Sequence, residues 1–354
     1  MDRRQADAGH HCLTHWMAGA ALAVAVTPGI AFAQDEASDE PEDRGVLSLA
    51  VENDSLSSGA DRNYTSGIRL GYVSPADRVP DWLQNTGSFT RALSDSEPDF
   101  WGIAIGQSIF TPEDINAVPA PPDQHPYAGW LYMQISIGAE EDRSDGRRPR
   151  FMDTYELELG ITGPSALGEE AQRGIHEWLG APDPQGWDSQ LNDEVAFAVS
   201  FDRNWRALRL FGDYFGGLEA DLTPSAGASL GTLRTEAHVG LAARIGQRID
   251  SDYGPPRVRP SLAGAEHFRG GPLSWSIFAG VQGRAVAHNL FLDGNTFEDS
   301  ASVERNPYVA DFQTGFSISA GAVRLAYTYV WRTEEFETQP TRTDFGALAL
   351  SVRM

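Results

Sequence analysis

The dominant period along this chain is two. From Gly45 onward Leu47, Leu49 and Val51 alternate with Ser48, Ala50 and Glu52, the signature of a strand with one apolar and one polar or small face. The same alternation runs through Ile68, Leu70 and Tyr72, then Trp101, Ile103 and Ile105, then Leu131, Met133, Ile135 and Ile137. It continues in Tyr155 to Ile161 and in Val195 to Phe201, weakens over Leu208 to Tyr214, and is longest from Leu233 to Ile245. Further runs start at Trp275, Tyr308 and Val323, and the last places Leu348, Leu350, Val352 and Met354 on one face. These make about a dozen strands, an even number.

One stretch breaks the period. Leu167, Ala171, Ile175 and Leu179 recur at helical spacing, with Ser165 as a possible N-cap and Gly180 as a stop. Several of the strands reach the ~9 to 11 residues that cross a bilayer, longer than the ~5 to 6 of a soluble sandwich. Runs ending in aromatics, such as Tyr327, Tyr329 and Trp331, suit an interfacial girdle. The pattern predicts an all-β fold, an antiparallel transmembrane barrel of about twelve strands with a short helix in an extracellular loop. A terminal Met354 where an aromatic is expected counts modestly against it.

Strand parity orients the connections. With both termini periplasmic, the tight links near Asn204-Trp205 and at Gly321-Ala322 fall on the periplasmic side. The outward connections are then Glu52 to Gly67, Thr111 to Pro126, Thr162 to Asp193, Ala220 to Ala228, Asn289 to Asn306, and Thr333 to Arg342. Two periplasmic connections, Asp77 to Pro98 and Gln247 to Pro272, come out long for their side.

Composition narrows the picture. Arg3 and Arg4, an apolar and small-residue run from Met17 to Ala33, and an Ala31-Phe32-Ala33 end predict a signal peptide over residues 1–33. An acidic segment, 34–44, follows, and one barrel domain spans 45–354. The single cysteine, Cys12, lies in the removed part, which excludes disulfides and thiolate metal sites. The net charge is −23 and there is no lysine, so a nucleic-acid partner is not expected. An acidic surface suits divalent cations instead.

Two stretches carry candidate chemistry. Glu52-Asn53-Asp54-Ser55 through Tyr64-Thr65-Ser66-Gly67 reads either as a polar hairpin loop or as a site, since Asn53, Asp54 and Thr65 offer hard oxygen ligands for Ca²⁺. In the helix, Gln172 and His176 are four apart and share a face. His176 is either a surface histidine or a general base for water, with Gln172 orienting the ring or the water. No Gly-x-Ser-x-Gly elbow and no His-Glu-x-x-His zinc motif occurs. Asp293-Gly294-Asn295 reads as a turn rather than a calcium loop.

With these residues in view, the chain resembles the outer-membrane lipid A 3′-O-deacylases. The resemblance is carried by Glu52-Asn53-Asp54 with Tyr64-Thr65-Ser66-Gly67, by Pro126-Tyr127-Ala128-Gly129-Trp130, and by Gly163-Pro164 through Gln172 and His176. Gln185-Gly186-Trp187-Asp188-x-Gln190 and Leu292 to Phe297 complete it, in the same order along nearly the whole mature chain. It implies a Ca²⁺-dependent esterase of the outer membrane that releases the 3′-linked acyloxyacyl group from lipid A of lipopolysaccharide in the outer leaflet. Asn53, Asp54, Thr65 and His176, with Gln172, are the implied functional residues; Asp54 and Asn53 are implied metal ligands, with Asp183 as a further candidate. The family reads Asp-Arg where this chain has Gln124-His125, which removes or replaces a positive contact to a lipid phosphate. An outer-membrane phospholipase and a non-enzymatic barrel, pore or structural, remain as alternatives. A monomer is the expectation, with the oligomeric state open. By alternation, Asp54 continues the inward register of Ser48, Ala50 and Glu52, so a strand extending that far would send it to the lumen.

Overall fold

The computed structural model describes residues 44–56, 63–76, 78–84, 98–141, 151–205, 208–214, 217–249 and 271–354; the expected signal peptide and nearly all of the acidic segment lie outside them. Thirteen strands form one antiparallel sheet. They are β1 Val46–Asn53, β2 Asn63–Val73, β3 Phe100–Thr111, β4 Ala128–Glu140, β5 Phe151–Thr162, β6 Glu194–Trp205, β7 Leu208–Tyr214, β8 Leu218–Leu230, β9 Arg234–Gln247, β10 Gly271–Asn289, β11 Tyr308–Gly321, β12 Val323–Arg332 and β13 Thr343–Arg353. Every strand pairs with its sequence neighbours except at β6, and β1 pairs with β13.

The circle closes through β6 and β8. Val199–Asn204 of β6 pair with Ser225–Leu230 of β8, while β7 pairs with the other half of β8, from Leu218 to Leu222. β6 and β7 therefore lie end to end along one neighbour and count as a single stave. The result is a closed twelve-stave barrel. Two expectations change as a consequence. The expected tight link near Asn204-Trp205 is not a hairpin, because the chain goes on in the same direction into β7. Ala220 to Ala228 is not an outward loop but the body of β8, and the connection at that end is the short Gly231–Leu233 segment. The sequence hid this because Ala, Gly, Ser and Thr dominate β8 and leave no greasy face to read.

Alternation sorts the two faces. Leu49, Val51, Ile68, Leu70, Ile103, Ile105, Met133, Leu157 and Val199 are exposed on the outer wall, as a lipid-facing belt requires. Tyr329 and Trp331 stack edge to face on that wall, with ring centroids 4.4 Å apart. Between β2 and β3, the helix α1, Asp81–Gln84, lies on the outer face, where Val79 and Leu83 pack on Ile137, Ala139 and Tyr155.

The inner face is polar and cross-paired. Arg332 binds Asp311 at 2.7 and 3.0 Å, Arg234 binds Glu158 at 2.8 Å, Arg244 binds Asp221, and His238 binds Asp202. Isolated buried charges would cost several kcal/mol each, so each is held against an opposite charge. Toward the loop end the lumen is closed by Tyr64, Phe110, Trp130, Phe291 and Phe345, with Phe110 stacked on Phe291 at 4.3 Å. A cavity of about 60 Å³ adjoins this lid, lined by Phe110 and Phe291 and by charged side chains that include Arg284 and Glu335.

Candidate active site on the outer wall

The 3₁₀ turn Pro164–Ala166 leads into helix α2, Gly168–Leu179. Ser165 is not its cap. The Ser165 amide and hydroxyl both donate to Asp193, and the N-cap is Leu167 in the left-handed region. Gly180 does stop the helix, at φ 69°.

This helix stands outside the barrel, against the wall. Gln107, on the outer register of β3, donates its amide to the carbonyls of Ala166 at 2.7 Å and Leu167 at 3.1 Å. Gly168 meets Gly129 of β4 so closely that a Cβ on Gly129 would sit 3.1 Å from the Gly168 Cα. Ala171 packs on a cluster of Ile109, Tyr127 and Trp187. Leu167, Ile175 and Trp178 instead point away, 51%, 41% and 59% exposed. The helix thus departs from a soluble surface helix: its polar Gln172 and His176 are buried, while Ile175 and Trp178 stay exposed together with Glu170, Arg173 and Glu177.

The other candidates lie on the same face. Asn53 follows Val51 in the outer register of β1 and pairs with Ser66; Ser66 pairs with Ile109, and Ile109 with Gly129. Three strand spacings, about 14 Å, therefore separate Asn53 from the foot of the helix. A bulge between Tyr64 and Ser66 reverses the local register. It turns Tyr64 inward, where its hydroxyl donates to Glu52, and turns Thr65 outward, where its hydroxyl lies 2.7 Å from that of Thr111. The strand ends at Asn53, and Asp54 opens a 3₁₀ turn, Asp54–Leu56. That turn folds over the outer face of β13, with Leu56 against Gly346 and its carbonyl accepting from the Tyr327 hydroxyl at 2.9 Å. β1 stops one residue before Asp54, so the condition for an inward Asp54, a strand extending that far, is not met.

Burial of this polar set is nearly complete. Asp54, Thr65, Gln172 and His176 are 1%, 2%, 2% and 4% exposed. His176 places Nδ1 2.6 Å from the Pro182 carbonyl; a carbonyl only accepts, so the neutral ring carries its proton on Nδ1 and its lone pair on Nε2. Gln172 accepts from the Trp187 indole at 2.9 Å. Asp183 lies exposed on the segment after the helix, its backbone carbonyl taken by Gln185, and no contact joins it to Asn53 or Asp54. Among the described residues no three His, Cys, Asp or Glu side chains converge as a metal cluster.

The remaining candidates face elsewhere. His125 is buried and stacked on Phe110 at 5.3 Å, with Nδ1 on the Pro126 carbonyl. Burial lowers its pKa, although that carbonyl and Glu335 pull the other way, so it is a neutral part of the lumen lid and not a phosphate contact. The Asp293 carboxylate is occupied by His288 at 2.9 Å, by Arg305 at 3.1 Å and by the Asn289 amide. Burial raises its pKa, but these bonds outweigh it and hold the group below its ordinary value. Gly294 follows at φ 84°, so this stretch is a turn. Sequence reasoning assigned no role to Gln107, Thr111, Pro182 or Trp187; a tryptophan inside the polar stretch Gln185 to Gln190 was the one available signal.

A closed antiparallel barrel with a lipid-facing belt, a filled lumen and buried polar side chains on its outer wall defines an outer-membrane barrel protein. The chain matches the family described as outer membrane protein LpxR over residues 17–354 and belongs to it. Among solved structures, LpxR from Salmonella typhimurium superposes with a TM-score of 0.70 at 20% identity, covering 87% of this chain and 99% of that one. The beta domain of the Bordetella autotransporter Brka gives a TM-score of 0.41 at 11% identity, covering 87% and 97%. At these identities the likeness speaks to the fold alone. No curated protein sequence matches the chain.

Proposed function

We propose that the protein is a calcium-dependent lipid A 3′-O-deacylase. The observation that carries this reading is where the polar residues are buried. Asn53 comes directly after Val51 on the outer face, and Thr65 and Ser66 directly beyond Ile68, so the site adjoins the last exposed apolar residues of the lipid-facing belt. The ester bonds of a membrane lipid lie at that boundary between acyl chains and headgroups. A lumenal site would need the lipid to leave the membrane; this one does not.

The chemistry follows from the atoms present. His176 Nε2 takes a proton from water, and the hydroxide formed adds to the acyl carbonyl carbon. The tetrahedral intermediate then expels the sugar oxygen, which takes the proton back from His176, leaving a free hydroxyl on the sugar and a free acyloxyacyl carboxylic acid. The Pro182 carbonyl holds the imidazole in the tautomer that can do this and steadies the imidazolium. Asp54 and Asn53 are the residues that would hold calcium. Their carboxylate and amide oxygens suit a hard cation, and with no group of three His, Cys, Asp or Glu side chains converging among the described residues, neutral oxygens and water would complete the six to eight ligands calcium accepts. When bound, such a cation polarises the ester carbonyl and offsets the oxyanion charge.

The test is mass spectrometry of lipid A and of glycerophospholipids incubated separately with purified barrel, with calcium and with chelator. Loss of the 3′-linked acyloxyacyl group only when calcium is present is the expected result. Hydrolysis of phospholipid with lipid A untouched replaces this reading by a phospholipase. No hydrolysis of either by folded protein with calcium overturns it. The aromatic lid and ion pairs that fill the lumen speak against an open pore.

A further inference from the structure

Gln172 holds a buried donor with no acceptor among the described residues. Its Oε1 accepts from Trp187 Nε1, whereas its Nε2, equally buried, has no hydrogen-bond partner there. A buried amide N–H₂ without an acceptor costs roughly 1–3 kcal/mol, so its retention here calls for an acceptor that arrives from outside. Trp187 explains how the amide is aimed. An indole N–H can only donate, so it admits the Gln172 oxygen and excludes the nitrogen, and the amide cannot flip. The N–H₂ edge is thereby fixed on the side away from the indole N–H, and Gln172 itself shares a helix face with His176 one turn on.

We propose that Trp187 is a positioning residue that locks Gln172 with its amide N–H toward the substrate's acyl carbonyl, making Gln172 a donor to the oxyanion as His176 delivers water. This rests on the deacylase reading above. The arrangement is specific in sign. With the amide reversed, a carbonyl oxygen would face the developing negative charge and repel it. Trp187 is itself 1% exposed and wedged against Tyr127, ring centroids 4.9 Å apart, so the indole has little freedom to follow a flipped amide.

The test is a double-mutant cycle on deacylation by the full barrel, using Trp187→Phe, which keeps an aromatic ring in place but removes the N–H. Removing one oxyanion donor costs about 10²-fold or more in kcat, so Gln172→Ala is expected to lose that much with KM little changed. Trp187→Phe is expected to lose about 10-fold in kcat, and to lose nothing further in the Gln172→Ala background. If Trp187→Phe costs the same factor in both backgrounds, or costs nothing in the first, Trp187 does not act through Gln172 and the proposal fails. Gln172→Glu gives a second route that leaves Trp187 intact. It keeps an oxygen for the indole but faces the oxyanion with another, so it should fall below Gln172→Ala; equal or higher activity overturns the proposal. An inactive wild-type barrel defeats the deacylase reading itself, a result separate from any of these.

Discussion

The barrel buries polar side chains on both sides of one wall, and the two sets are built on opposite plans. In the lumen the acids are held by neighbouring side chains: Asp311 holds Arg332 and Arg284, Glu158 holds Arg234, Asp202 holds the His238 imidazole, and Glu52 takes the Tyr64 hydroxyl. On the outer wall the buried set is an imidazole held by a carbonyl, an amide held on one edge by an indole, and paired threonine hydroxyls. The lumen is paired for its own sake. On the proposed reading, the set under α2 is completed by a molecule from the membrane.

That contrast predicts effects of different kind on the two sides. The largest should come from His176→Ala, which removes the base and should cut deacylation by about 10³-fold, within the usual range for a general base, while the unfolding midpoint stays put. Full activity in this variant would reject the assignment. Asp311→Ala should do the reverse. It leaves Arg332 with Glu335 alone and Arg284 with only its longer contacts to Glu236 and Glu335, and breaking a buried pair this way costs up to about 3–5 kcal/mol, visible in denaturant titration, with activity per folded molecule near wild type. A lumen variant that kills activity without loss of stability would break the comparison.

Smaller effects sharpen it. Gly129→Val places side-chain carbon where Ala166 and Gly168 already lie, 3.1 Å from an ideal Cβ, and should push the helix off the wall. Misplacement by about 1 Å can cost up to 10²-fold in rate, so kcat should fall with barrel stability little altered. The smallest effect is in the lid. His125 has its pKa lowered by burial from an ordinary 6.5. As pH falls through 6.5 the unfolded chain gains a proton that the folded chain resists, so stability is full above that pH and declines below it. Comparing unfolding midpoints from pH 8 to 5, His125→Phe should show a shallower decline than wild type; an identical slope would remove His125 from the account.

Much of this was legible in the chain. Period-two runs such as Leu47 to Val51 and Leu131 to Ile137 gave strands, and their length gave a membrane barrel. What failed did so where side chains carry no contrast, as in β8, or where the backbone departs from simple alternation. Counting back from Ile68 and Leu70 sends Thr65 to the lumen, and only the bulge beside Ser66 brings it outside. Counting forward sends Asp54 inward only if the strand runs on, and β1 ends one residue before it. Gln172 and His176 were readable as neighbours from their spacing. Which side of the helix meets the wall was not, because here the polar pair is buried while Ile175 and Trp178 are exposed.

The claim that separates the two sides of the wall can be tested by where the substrate touches the protein. Cys12 is the sole cysteine, so a single cysteine introduced after its removal can carry a photoreactive label, either at the exposed Ile175 of the helix or at the lumenal Ser200. On illumination in lipid A-containing membranes, the label at Ile175 should cross-link to lipid A acyl chains and the label at Ser200 should not. Cross-linking from Ser200 with none from Ile175 would contradict the account.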